Sequence, residues 1–140
     1  MHKKVIPGFI AVYVVMSLLN FLIHNVMLKD TYMTLVQTGL MRGEDAGTMW
    51  IYFVTALVVS FFFTLIFSKG YEGKGIGEGV RFGLYAGLLV AVQFAYDSYA
   101  SYPLPYSLAL QWFLYTTVEY IILGIVAAAV FGKSKGVTAA

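Results

Sequence analysis

The sequence predicts an all-α membrane protein, a four-transmembrane-helix bundle with both termini cytoplasmic (N-in/C-in), and three observations carry that prediction. Of the 140 residues 60% are hydrophobic and 11% charged, against about 25% charged in ordinary soluble domains. Four apolar runs, residues 5–28, 48–68, 79–99 and 107–131, each come close to or exceed the roughly 20 residues that cross a hydrocarbon core of about 30 Å. If the runs alternate in direction, Lys3, Lys4, Lys69, Lys74, Arg81, Lys133 and Lys135 share one side, and only Lys29 and Arg42 fall on the other. Basic residues accumulate on the cytoplasmic side, and an odd number of spans would scatter them over both. Four spans use nearly the whole chain, which leaves one membrane domain over 1–140 and no sizeable soluble module.

The first run follows His2, Lys3 and Lys4. It exceeds the roughly 7 to 15 apolar residues of a secretory signal and has no small-residue cleavage site after it, so it reads as a transmembrane helix. Pro7 falls in the first turn, where its missing N–H costs nothing. The 29–47 connection is the longest, and its segment DTYMTLVQTG carries an Asp cap, apolar Tyr32, Leu35 and Val36, and a Gly stop, the pattern of a short interfacial helix. The second run is rich in Phe and Val and ends at KGYEGKGIGEG. The third ends at SYPLPY, where Pro103 and Pro105 turn the chain into the fourth. Trp50, Tyr52, Tyr99, Tyr102, Tyr106 and Trp112 gather towards the outer ends of the spans, as an aromatic belt would.

Small residues recur every fourth position through the third span, at Gly79, Gly83, Gly87, Ala91 and Ala95, and again at Gly124, Ala128 and Gly132 in the fourth. Residues four apart share a helix face, and small ones let two backbones approach closely, which is how membrane helices associate without a hydrophobic drive. This glycine-zipper pattern predicts a tight crossing of the last two spans near the cytoplasmic side; a homodimer seam would use the same ladder.

Three spans place polar side chains four apart: Asn20 and His24, then Gln93 and Asp97, then Gln111, Tyr115 and Glu119. At about 1.5 Å per residue, His24 and Asp97 lie roughly 6 and 3 Å below the outer ends, Asn20, Gln93 and Gln111 roughly 12, 9 and 8 Å, and Glu119 roughly 20 Å. His24 and Asp97 are therefore level and are expected to pair, either structurally or as a ligand or proton site. Glu119 is near mid-membrane with no Lys or Arg inside any span. A charge there costs a few kcal/mol, so the carboxyl is expected to be neutral, paired or facing water, and a functional role competes with a structural one. The amides are candidates both for interhelical hydrogen bonding and for ligand contact.

Several chemistries are excluded. With no cysteine there is no thiol relay, no thiolate zinc site, no iron–sulfur cluster and no disulfide-exchanging quinone enzyme. One in-span His cannot supply both axial ligands of a b-type haem, and His24 with Asp97 is too few ligands for a metal. The glycine-rich 69–79 loop lacks the Lys and Ser/Thr of a phosphate-binding P-loop and carries Glu72 and Glu78, so a hinge or helix cap is the better reading. No catalytic residue set appears, no particular cofactor is implied, and the scattered basic residues exclude nucleic acid as a partner.

The strings LIHNVMLKDTY, KGYEGKGIGEGVRFGL and YPLPYSLALQW, about a quarter of the chain, resemble a group of small, uncharacterised bacterial four-helix integral membrane proteins. The resemblance implies a multi-pass protein of the bacterial inner membrane and transfers no catalytic residue. Two functions follow as expectations. In the first, an outward-facing polar cleft ending near Glu119 binds or transports a proton, an ion or a small amphiphile. In the second, the protein is a structural or accessory subunit of a membrane complex or a homo-oligomer, its polar residues fixing helix register.

Overall fold

The computed structural model describes residues 2–43 and 47–133, and among them every regular element is helical. Four helices are long and apolar enough to cross a membrane: α1 (Val5–Met27), α3 (Met49–Gly70), α4 (Ile76–Ser101) and α5 (Tyr106–Phe131). The short α2 (Lys29–Gln37) lies between the first two. The chain is thus an integral membrane protein with a four-helix bundle. Lys135, one of the seven basic residues assigned to one side, lies outside the described residues.

The helix ends follow from local chemistry. At one end of the bundle, α3 gives way after Gly70 to a loop in which Gly73 and Gly75 take φ of +82° and +90°, a region that side chains with a Cβ avoid. Glu78 folds back from the first turn of α4 and accepts hydrogen bonds from the backbone N–H groups of Glu72 (2.6 Å) and Lys74 (3.0 Å). The glycine loop is therefore tied to the first turn of α4, and these two amides are spent on a carboxylate of the same chain rather than on a phosphate. Helix α4 starts at Ile76, three residues before the expected Gly79. The Lys4 ammonium donates to the Phe131 carbonyl and the Tyr71 hydroxyl to that of Gly132 (2.7 Å), so the open C-terminus of α5 is satisfied by side chains from two other parts of the chain.

Without a hydrophobic drive between helices in lipid, close approach carries the packing. The most extensive contact in the bundle joins α4 to α5. A Cβ added at Gly79 would run into the Gly124 carbonyl and stand 2.6 Å from the Ala128 methyl. One at Gly83 would meet the Tyr120 carbonyl and the Ile121 Cα at 2.7 Å. At Gly124 the added atom would strike the Gly79 carbonyl. Helix α1 packs on both α3 and α5, with Gly8 admitting the Phe131 ring and the Thr64 methyl and with Ser60 donating to the Met16 sulfur at 3.4 Å. Helix α3 closes on α4 through aromatic rings, Phe67 on Phe82 at 5.2 Å and Phe63 on Phe82 at 4.9 Å. These contacts are confined to one half of α3: its buried residues are Ser60, Phe63, Thr64, Phe67 and Ser68, while Met49 to Val59 are exposed apart from the half-buried Ala56.

Two stretches depart from α geometry. Phe21–Met27 at the end of α1 and Gln93–Asp97 within α4 are π-helical, closing i→i+5 hydrogen bonds. Across these wider turns Asn20 and His24 are both half-buried and Gln93 and Asp97 are both exposed.

Candidate functional site

A polar cluster forms where α2 folds back over one end of the bundle, and Glu119 lies apart from it, as do Ser17 and Thr64, whose buried hydroxyls have no partner among the described residues. Leu28 is almost fully buried at the junction, its N–H bonded to the Ile23 carbonyl at 2.9 Å, and Leu35 is buried against α4 and α5 residues including Ala95, Leu108 and Trp112. Helix α2 presents Tyr32 to the same interior. The expected short helix is present, but its N-cap is Leu28 with no side-chain cap, Asp30 lies in the first turn, and Gly39 with φ of +75° follows its end.

Tyr32 is the centre of this cluster. The Trp112 indole N–H donates to its hydroxyl oxygen at 2.7 Å, and His24 Nδ1 lies 2.6 Å away on the other side. An indole N–H only donates, so the phenol oxygen accepts from Trp112. The Tyr32 O–H is then free to donate to Nδ1, which places the proton of a neutral His24 on Nε2. The His24 and Tyr32 rings lie nearly parallel, 12° apart with centroids at 5.8 Å, and Phe94 packs on Trp112 at 4.8 Å. Burial pushes the Tyr32 phenol up to about 12, with the Trp112 hydrogen bond pulling the other way and Tyr52 adding slightly to the rise. Tyr32 is thus a neutral hydrogen-bonding hub.

This geometry corrects three expectations. The level pair His24 and Asp97 is not formed: His24 is bound to Tyr32, and Asp97 is an exposed residue of the π-helical turn. Trp112 is not part of an aromatic belt but sits in the core at 7% exposure, whereas Trp50, Tyr52, Tyr99, Tyr102 and Tyr106 are exposed. The outer end is not an open polar cleft, because α2 and its Tyr32 and Leu35 fill it. Two clefts, of about 260 and 230 Å³, open instead at the opposite end, beside Lys4 and Lys133 and beside Arg81.

Glu119 is 6% exposed on α5 and makes no hydrogen bond or ion pair among the described residues. The ion pair there joins Lys74 to Glu72 in the glycine loop, and that lysine holds the exposed Glu72 carboxyl below the usual carboxylate range. From the contact of Gly8 with Phe131, Glu119 and Asn20 lie at the same residue count along two antiparallel helices, about 18 Å into the bundle. They are level, and no hydrogen bond joins them. Asn20, Gln111 and Tyr115 are half-buried and Gln93 is exposed, and none of these makes a side-chain hydrogen bond among the described residues. No group of three or more His, Asp or Glu side chains converges to hold a metal ion among the described residues.

Of the seven expected site residues the structure thus joins only His24 to a polar partner, and that partner, Tyr32, lies outside the spans. Its signal in the sequence is a phenol on the buried face of an amphipathic segment directly following a histidine-bearing span. Chemically, the arrangement supplies a hydrogen-bonded latch at one end and an unpartnered acid in the interior. The chain matches no protein-family model, no curated protein and no solved structure.

Proposed function

We propose that this is a small binding or transport protein of the bacterial inner membrane, with both termini cytoplasmic, in which Glu119 exchanges a proton as a proton, ion or small amphiphile enters the bundle. The observation that supports this reading is the unpartnered burial of Glu119. A structural carboxyl gains its keep by hydrogen bonding, and one left without a partner among apolar helices costs stability that a working site can justify. Access from the outer side requires α2 to move, which the latch through Tyr32 to His24 and Trp112 opposes. The orientation rests on the basic residues: Lys3, Lys4, Lys69, Lys74, Arg81 and Lys133 crowd one end, while Lys29 and Arg42 flank α2 at the other. The test is ligand-driven or pH-driven flux into proteoliposomes, where Glu119→Gln should leave folding intact and abolish flux, because Gln mimics the neutral acid but cannot release a proton.

A second reading, an accessory subunit of a membrane complex, draws support from α3. Its outer half, with Trp50 at 64%, Tyr52 at 65% and Phe53 at 60% exposure, is packed against little of its own chain. Co-purification of a stoichiometric partner that depends on Trp50 and Phe53, with Glu119→Gln silent in the liposome assay, would favour it.

A further inference from the structure

The 230 Å³ cleft beside Arg81 has the polarity profile of a lipid. It lies between the ends of α3 and α4 at the basic end of the bundle and is lined by Ile66, Phe67, Gly70, Glu78, Arg81, Phe82 and Tyr85. Arg81 sits five residues into α4, about 7 Å from the helix start, which is headgroup depth. Ile66 and Tyr85 stand one turn deeper on their own helices than Gly70 and Arg81, and both are largely exposed. The cleft therefore runs from a guanidinium at the interface to aliphatic and aromatic walls within the hydrocarbon. The two oxygens of Glu78 are engaged by the Glu72 and Lys74 N–H groups. Arg81 forms no ion pair among the described residues.

The width of the cleft has a cause in the sequence. Phe67 and Phe82 hold the two helices apart at 5.2 Å between rings, and Gly70 places no side chain in the opening. A Cβ built at Gly70 meets nothing within 4 Å. A side chain there would thus enter the cleft without disturbing the packed structure.

We propose that this cleft binds one anionic glycerophospholipid of the leaflet at the basic end, its phosphate on Arg81 and an acyl segment along Ile66, Phe82 and Tyr85. The charge complementarity selects an anionic headgroup, and the depth profile selects a lipid over a free phosphate. The full chain, reconstituted into vesicles of equal parts phosphatidylglycerol and phosphatidylcholine, re-extracted in mild detergent and weighed by native mass spectrometry, should retain phosphatidylglycerol over phosphatidylcholine by about fivefold. Arg81→Gln should bring the two lipids to near parity, Gly70→Phe should remove both, and Lys3→Gln, at the same end but off the cleft, should keep the wild-type ratio. Equal retention by the wild type would overturn the proposal. So would an unchanged ratio in Arg81→Gln, retained lipid in Gly70→Phe, a loss in Lys3→Gln as large as in Arg81→Gln, or displacement of the lipid by millimolar inorganic phosphate, which would mean that a headgroup suffices.

Discussion

At the scale of single residues, Tyr32 holds the outer end together because one oxygen serves two partners. Tyr32→Phe removes that oxygen and leaves the Trp112 N–H and the His24 Nδ1 unpaired in a buried setting, where each unsatisfied group costs about 1–3 kcal/mol. The expected outcome is a clearly lower unfolding midpoint in detergent, with Tyr115→Phe as a control that loses no hydrogen bond. The phenol also sets a pH window. A group whose folded value lies above the unfolded one favours the folded state below the unfolded value, about 10, and loses that contribution as pH rises towards the folded value, about 12. Stability should therefore hold up to about pH 10 and fall between about 10 and 12. Phenolate absorbance should show a late-titrating tyrosine population in the wild type that is smaller by one in Tyr32→Phe. Little of this was legible beforehand. The level depths of His24 and Asp97 pointed to each other, but depth says nothing of which way a side chain faces, and Tyr32 reaches His24 only because the chain reverses at Leu28.

At the scale of elements, composition and length located the four spans to within about three residues at each end. The largest differences were at α4, which begins at Ile76 and not Gly79 and continues to Ser101. Gly77, which read as loop, is in the first turn of a helix that Gly79 presses on Gly124, a tertiary contact that overrides low intrinsic helix propensity. The π-helical turns left no trace in the pattern, since an apolar run has no periodicity for an inserted residue to break. The ladder of small residues was readable, because Gly79, Gly83 and Gly124 leave room that only a neighbouring backbone fills. Gly83→Leu should accordingly force α4 and α5 apart and cost at least the roughly 1–3 kcal/mol of an overpacked site. Gly77→Leu, where an added Cβ meets nothing within 4 Å, should be near neutral. Retention of a monodisperse peak after heating in mild detergent separates the two, and equal retention would mean that the ladder does not carry the α4–α5 contact.

At the scale of the whole molecule, the bundle is sealed at one end by α2 and laced at the basic end by Lys4, Tyr71 and Glu78, with the buried Glu119 between them making no hydrogen bond or ion pair among the described residues. The proposed orientation predicts that a periplasmic-active reporter is silent when fused after Ala140 and active when inserted in the 39–43 segment. The reverse pattern would require the basic end to face outwards. The proposed role of Glu119 is tested most directly by infrared difference spectroscopy of the protein in bilayers near neutral pH, wild type against Glu119→Gln. With no counter-charge or hydrogen bond among the described residues to stabilise an ionised form, the wild type should show a protonated carboxyl C=O band that vanishes in the variant and diminishes when ligand or a proton gradient is applied. A carboxylate band from Glu119 in the resting protein, or a carboxyl band that no condition shifts, would contradict it.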